Sequence, residues 1–135
     1  MTDKISAERR SANMRAIRSR GMKPEIRVRQ TAHGLGYRFR LHRNDLPGKP
    51  DLIFVRLNKV IFVHGCFWHQ HQNCRDGHVP KSNRSYWKPK LARNAERDAE
   101  HLAALKANGW KSLVIWECEI TDERKLSLRL KRFLG

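Results

Sequence analysis

Metal-binding and proton-transferring side chains are concentrated in residues 63–74. These twelve residues hold three of the seven histidines and two of the three cysteines, and they follow the apolar run 60–62. Neither packing nor solubility calls for so many imidazoles and thiols at the end of a strand, whereas metal binding and catalysis do. The chain must therefore fold so that the end of this strand presents a metal site, a catalytic site or both.

A structural zinc site is the first expectation from this stretch. The candidate ligands are Cys66, His71, Cys74 and the more distant Cys118. Cys118 follows the apolar run 113–116, and it would reach the histidine-rich loop if both strands ended at the same edge of a sheet. Three thiolates and one imidazole form a closed tetrahedral set, which suits structural rather than catalytic zinc. His69 and His78 compete with His71 for the fourth position.

The charge of the chain predicts a polyanionic partner. The formal net charge is +16 over 135 residues, and such an excess is relieved by binding nucleic acid. Residues 1–23 are rich in arginine and are predicted to form a basic arm that lies on phosphates. No run approaches the ~20 apolar residues of a membrane span, and residues 1–6 lack a signal peptide's apolar segment. We therefore expect a cytoplasmic protein without a membrane partner.

The length predicts one domain, over residues 24–135, and the patterning predicts its class. The expected elements are a helix from Pro24, a strand over 37–41, a hairpin over 51–63, a long helix from about Tyr86 to Asn108, a strand over 112–116 and a last helix capped by Thr121. This order predicts an α/β fold with a small mixed sheet flanked by helices. On the long helix, Asp98 shares the inward face with leucines.

Asp51 and two spare histidines indicate phosphodiester hydrolysis. Asp51 opens an otherwise apolar strand, where a buried carboxylate needs a cation or a partner. Mg²⁺ held there would assist hydrolysis, although an Asp that merely ends a turn is the simpler alternative. His64 and His69 remain after the zinc assignment, and either imidazole suits a general base or a structural role. Glu25 fits simple helix support in a first turn.

Three aromatic residues suggest contact with DNA bases. Phe67 and Trp68 lie between the predicted zinc ligands, and Trp87 lies near the start of the long helix. Apolar side chains of this kind can insert between base steps. Packing around the metal is the alternative for each of them.

Together these residues resemble the very short patch repair (Vsr) family of DNA mismatch endonucleases over nearly the whole chain. The resemblance rests on segments 13–17 (NMRAI), 46–51 (LPGKPD), 62–69 (FVHGCFWH), 94–98 (NAERD), 109–110 (GW) and 114–118 (VIWEC). It implies a restriction-endonuclease-like fold and Mg²⁺-dependent nicking of one strand 5′ to the thymine of a T·G mismatch, the product of 5-methylcytosine deamination. It also implies a monomer of the bacterial cytoplasm, associated with the nucleoid and possible mismatch-repair accessory proteins.

The resemblance also implies a role for each candidate residue. Asp51 and the carbonyl of Val63 would hold Mg²⁺, His69 would be the catalytic histidine, and Glu25 and His64 would support the site. Asp98 would orient a histidine. The implied zinc ligands are Cys66, His71, Cys74 and Cys118; the implied DNA contacts are Phe67, Trp68 and Trp87 beside the mismatch, and Asn13, Met14 and Arg15 in the arm.

Three departures from the family pattern bear on function. The spacing from His71 to Cys74 is one residue longer than the usual pattern. Val63 stands where the family often has threonine, and the acid-x-lysine of ordinary restriction-type nucleases is absent. His64 and His69 would therefore take over the work of that lysine. The alternative function is a zinc-stabilised duplex DNA-binding module without activity, in which Asp51 and His69 have no role.

Overall fold

The computed structural model describes residues 23–72, 74 and 77–135. The described part contains three α-helices, three strands and two short 3₁₀ segments. The helices are α1 (Pro24–Gly34), α2 (Arg84–Ala107) and α3 (Glu123–Leu134); the strands are β1 (Leu52–Phe54), β2 (Lys59–His64) and β3 (Lys111–Trp116); the 3₁₀ segments are Val55–Leu57 and Glu117–Glu119. The predicted arm, residues 1–23, lies outside the described residues except for Lys23.

The sheet is mixed, with the order β1-β2-β3. β1 pairs with β2 antiparallel, with Leu52 opposite Ile61, and β2 pairs with β3 in parallel, with His64 opposite Trp116. Because β2 and β3 run in the same direction, both end at the same edge. Cys118, which follows β3, can therefore reach the histidine-rich loop that follows β2, as expected from the sequence.

Helices cover both faces of the sheet, because successive strand residues point to opposite sides. One face packs against α1 and α3, and its buried side chains are Val28, Ala32, Leu52, Phe54, Ile61, Ile115, Ile120, Leu126, Leu130 and Leu134. The other face packs against α2, with Leu46, Ile53, Val60, Phe62 and Leu105 buried. Each fully buried aliphatic side chain contributes about 1.5–3 kcal/mol of transfer free energy. The predicted mixed sheet flanked by helices is confirmed.

The strand predicted over residues 37–41 is reduced to a single bridge. Arg40 and Ile53 exchange both backbone hydrogen bonds, at 2.8 and 3.0 Å. The pairing stops there because β1 is only three residues long and His42 has a positive φ of 61°, which ends an extended run.

Two helix boundaries also differ from the prediction. Asp122, rather than Thr121, caps α3, because the Asp122 carboxylate accepts the backbone N–H of Lys125 at 3.1 Å. Thr121 instead donates its hydroxyl to the carbonyl of Cys118 at 3.5 Å. The long helix begins at Arg84, slightly earlier than expected. Among the described helices, none combines the length and the apolar character needed to cross a membrane.

Candidate functional site

The shared edge of β2 and β3 positions the histidine-rich loop. The loop leaves β2 at His64 and turns immediately, with the N–H of His69 donating to the carbonyl of Gly65 at 3.1 Å and that of His71 to the carbonyl of Cys66 at 2.9 Å. These local bonds point some side chains of the loop toward Glu117–Glu119 and others toward α2. The loop therefore contributes to two separate groups of functional side chains.

The first group is the predicted set of metal ligands. The ligand atoms of Cys66, His71, Cys74 and Cys118 all lie within 4.8 Å of one another. His71 Nδ1 lies 3.5 Å from Cys118 Sγ and 3.7 Å from Cys66 Sγ. A tetrahedral site with ordinary Zn–S and Zn–N bond lengths places nitrogen about 3.6 Å from each sulfur. The arrangement fits one zinc ion, and it selects His71 over His69 and His78.

The surroundings of this cluster fix its ligands. The His71 ring stacks on Trp116 with a centroid distance of 4.2 Å, and the backbone N–H of Cys66 donates to Glu117 Oε1 at 2.9 Å. Cys66 is fully buried, and burial raises the pKa of its thiol to about 12. A bound cation reverses such a shift and holds the sulfur as a thiolate. A buried thiol without a cation would stay protonated.

The second group lines a cavity of about 390 Å³ between α2 and the end of the sheet. The lining residues are Gly48, Lys49, Asp51, Phe62, Val63, His64, His69, Asn94, Arg97, Asp98, His101 and Leu102. Asp51, Val63, His64, His69 and Asp98 were all singled out from the sequence, and the structure brings them together here. Glu25 is not among the lining residues.

Asp51 is a partly buried acid with spare coordination capacity. Its Oδ2 accepts the backbone N–H of Val63 at 2.7 Å, whereas its Oδ1 bonds to none of the described residues. Burial is the largest cause that raises the pKa of Asp51; the charge of Glu25 on α1 also raises it, and that of Arg29 lowers it. A carboxylate that is desolvated without full compensation is a favourable ligand for a divalent cation. The residues present therefore fit Mg²⁺ at this position.

His64, His69 and Asp98 form a connected group in the same cavity. His69 Nδ1 lies 2.5 Å from Asp98 Oδ2, and the rings of His64 and His69 stack with a centroid distance of 3.8 Å and an angle of 7°. Burial, followed by the charge of His69, lowers the pKa of His64 to about 4. His64 is therefore neutral at pH 7. The Asp98 carboxylate fixes the orientation of the His69 ring, so that His69 Nε2 is left to accept a proton.

The predicted aromatic residues form one cluster beside this cavity. The ring centroids of Phe67, Trp68 and Trp87 lie 5.2 to 5.7 Å apart. Trp68 is 47% exposed and the adjacent Tyr86 is 57% exposed, so packing around the metal does not account for the position of Trp68. Lys90 Nζ lies 5.9 Å from the ring centroids of Trp68 and Trp87. Tyr86 and Lys90 extend the aromatic surface and had no role in the sequence prediction.

The cavity also contains basic residues that sequence reasoning missed. Lys49, Arg97 and His101 line it together with the acidic and histidine groups. Lys49 and Arg97 lie inside the segments 46–51 and 94–98 that carry the family resemblance, which implied no role for either residue. His101 follows Asp98 by three residues on α2, so the helical spacing was the signal that could have identified it. Asn13, Met14 and Arg15 lie outside the described residues.

Comparison with known proteins shows the family of the chain. Residues 2–75 match the family described as DNA mismatch endonuclease Vsr. The chain is 51% identical over 134 residues to the type II nicking enzyme V.XorIIP of Xanthomonas oryzae, covering 99% of this chain and 98% of that protein. It is 39% identical over 134 residues to the nicking enzyme V.NmeAIP of Neisseria meningitidis, covering 99% and 95% of the two chains. It is also 39% identical over 127 residues to the DNA mismatch endonuclease Vsr of Escherichia coli, covering 94% and 81%. The chain belongs to the Vsr family of DNA mismatch endonucleases.

Proposed function

We propose that this protein nicks one strand of duplex DNA immediately 5′ to the thymine of a T·G mismatch, and that the reaction depends on Mg²⁺. The observation that carries the proposal is the cavity in which Asp51, Val63, His64, His69 and Asp98 meet. A carboxylate for a cation, an imidazole fixed by a second carboxylate and an open cavity are the parts that phosphodiester hydrolysis requires.

Asp51 and the carbonyl of Val63 would hold the magnesium ion. The use of a carbonyl explains how valine serves at a position where relatives often have threonine. When bound, Mg²⁺ neutralises charge on the phosphodiester and makes water a better nucleophile. Glu25 would support the site through its negative charge, which raises the pKa of Asp51 and adds to the attraction for a divalent cation.

His69 would be the general base. Because Nδ1 is engaged by Asp98 Oδ2 at 2.5 Å, the lone pair of Nε2 would remain available to take a proton from the attacking water. His64 stays neutral and stacks on His69, so it holds the ring in place without adding a competing charge. This pair replaces the lysine that ordinary restriction-type nucleases use.

The zinc ligands and the aromatic cluster would present the substrate. Zinc held by Cys66, His71, Cys74 and Cys118 would keep the loop rigid, since the loop itself buries little apolar surface. Phe67, Trp68 and Trp87 would insert beside the mismatched pair, where the reduced stacking of a wobble pair lowers the cost of unstacking. The exposure of Trp68 supports this role.

The remaining features of the proposal follow from the family. We infer a restriction-endonuclease-like fold for the domain over residues 24–135, and a DNA-embracing arm over residues 1–23 that includes Asn13, Met14 and Arg15. The enzyme would act as a monomer at the nucleoid in the bacterial cytoplasm, together with mismatch-repair accessory proteins. These inferences rest on relatedness and on the charge of +16.

A nicking assay tests the proposal directly. A duplex with one T·G pair, labelled on each strand in turn, is incubated with protein and Mg²⁺, alongside matched T·A and C·G duplexes. We expect a single cut 5′ to the mismatched thymine, no cut in the paired duplexes and no reaction without a divalent cation. Equal cutting of paired and mismatched DNA would contradict the proposal.

Variants separate an enzyme from a zinc-stabilised DNA-binding module. Asp51→Ala should abolish cutting while duplex affinity and zinc content stay at the parental level. His69→Ala should do the same. If the parent and both variants bind the duplex equally well and none of the three proteins cuts it, the binding module is the correct interpretation.

A further inference from the structure

The cavity has a basic wall that the reaction described above does not use. Lys49, Arg97 and His101 line it. Within residues 23–72, 74 and 77–135, none of the three side chains forms a hydrogen bond or an ion pair. Unpaired basic side chains in one cavity are a characteristic of anion-binding sites.

The acidic neighbours of Arg97 on α2 are engaged elsewhere. Asp98 contacts His69, and Glu96 and Glu100 lie 3.2 and 3.6 Å from Arg93. The guanidinium of Arg97 is therefore left without a carboxylate partner from adjacent turns of its own helix, although three carboxylates lie within three residues of it.

The basic wall is built by a tight contact between the loop before β1 and α2. Gly48 has a φ of +75°, and a Cβ placed there would lie 2.9 Å from His101 Cβ and 3.0 Å from its Nδ1. Only glycine allows the loop to approach the helix so closely in this conformation. The contact holds His101 against the loop at the point where Lys49 follows.

On both the loop before β1 and α2, the basic wall lies next to residues that are proposed for catalysis. Lys49 precedes Asp51 by two residues, and His101 follows Asp98 by three, a helical spacing that places side chains about 5–6 Å apart on one face. An anion bound by the wall therefore lies next to one held at Asp51. Successive phosphates of a DNA strand provide two anions in this relation.

We propose that Lys49, Arg97 and His101 form a subsite for a phosphodiester group that neighbours the cleaved one on the same DNA strand. The lysine ammonium, the planar guanidinium and the imidazole together offer enough donors for the oxygens of one phosphate. These are positioning residues: they align the strand so that the scissile phosphate reaches Asp51 and His69. The inference rests on the proposed function, because it assumes that the cavity receives the DNA backbone.

The test couples removal of protein charge to removal of DNA charge. The full-length protein binds a T·G duplex in magnesium-free buffer, and affinity is measured by fluorescence anisotropy. The duplex series replaces one phosphodiester at a time, on the strand to be cut, with an uncharged methylphosphonate. The variant is Lys49→Gln/Arg97→Gln, in which both altered side chains are exposed.

We expect one flanking methylphosphonate to weaken parental binding about tenfold, the size of a lost charge-assisted contact. The double variant should bind the natural duplex about tenfold more weakly and show no further loss at that position. Its dependence of log affinity on log salt should be shallower by about one. His101→Gln should reduce the sensitivity at the same position, and it should raise KM for nicking without changing kcat.

Arg93→Gln is the matched control, because Arg93 is an arginine of the same helix that does not line the cavity. This variant should keep the full methylphosphonate effect. If the losses from the double variant and from the methylphosphonate add at every position, the subsite does not exist. Binding needs no cleavage, so coupling without nicking would refute the proposed reaction alone, whereas nicking without coupling would refute the subsite alone.

Discussion

Replacement of Asp98 by asparagine tests how His69, the proposed catalytic histidine, is oriented. Asp98 Oδ2 lies 2.5 Å from His69 Nδ1, and both side chains are partly buried, at 22% and 30% exposed. A carboxylate accepts a proton from Nδ1–H and so leaves the lone pair on Nε2. An amide can instead donate to Nδ1, which moves the ring proton to Nε2 and removes the base.

The size of the effect follows from this contact. A hydrogen bond to a charged group contributes about 1.5–3 kcal/mol, which corresponds to about 10- to 150-fold in rate if the bond matters mainly in the transition state. We therefore expect Asp98→Asn to lower kcat by at least tenfold. Duplex affinity should stay within about twofold of the parental value, since an isosteric amide preserves the shape of the cavity.

Single-turnover nicking of a T·G duplex, with saturating enzyme and Mg²⁺, measures this kcat effect separately from affinity. Glu96→Gln is the control: it neutralises an acid of the same helix that pairs with exposed Arg93, and it should nick at the parental rate. A parental rate for Asp98→Asn, or a loss confined to binding, would refute the orienting role.

Three further predictions concern stability. Burial holds the pKa of His64 at about 4, below the ordinary 6.5; the neutral form stabilises the fold above pH 6.5, so the free energy of unfolding should drop by about 3 kcal/mol as the pH falls from 6.5 to 4. Urea titrations should show this dependence in the parent and a weaker one in His64→Gln; equal dependence in both proteins would contradict the assignment. The protein should contain one zinc per chain by elemental analysis, and Cys118→Ser should lose the metal and much of its thermal stability; full stability in a zinc-free preparation would argue against a structural ion. Gly77→Ala should also release zinc, because the added Cβ would lie 2.0 Å from the His71 carbonyl oxygen. The control Gly34→Ala adds a Cβ that meets nothing within 4 Å, and it should be neutral or stabilising. Equal zinc content in the two variants would exclude this steric effect.

The elements with strong local signals could be predicted from the chain. Pro24 at the start of α1 and the leucine spacing of α2 and α3 depend on neighbours three or four residues away, and these helices form where expected. The strand over residues 37–41 was wrong beyond a single bridge. Its alternation was real, but pairing depends on the length of β1, which the alternating pattern does not encode.

The donor atoms of the candidate site could also be chosen from the sequence, but their arrangement could not. The dense group of thiols and imidazoles indicated zinc without showing which histidine completes the set. The parallel register of β2 and β3 decides this, because it brings Cys118 to within 3.5 Å of His71 Nδ1. Nothing in the sequence indicated that Lys49 and His101 act together, since they are 52 residues apart and line one cavity only because Gly48 touches α2.

The amino-acid sequence by itself determined the chemistry available to this protein: an excess of positive charge for a polyanion, soft ligands for zinc, and acids and imidazoles beyond the zinc set. The tertiary structure alone decided which of these groups act together, as in the contact of Asp98 with His69 and the stacking of His64 on His69. The physical reason is the separation along the chain over which each property is set. Charge and helical periodicity are properties of neighbouring residues, whereas a hydrogen bond between a loop and a helix depends on how the sheet aligns distant segments.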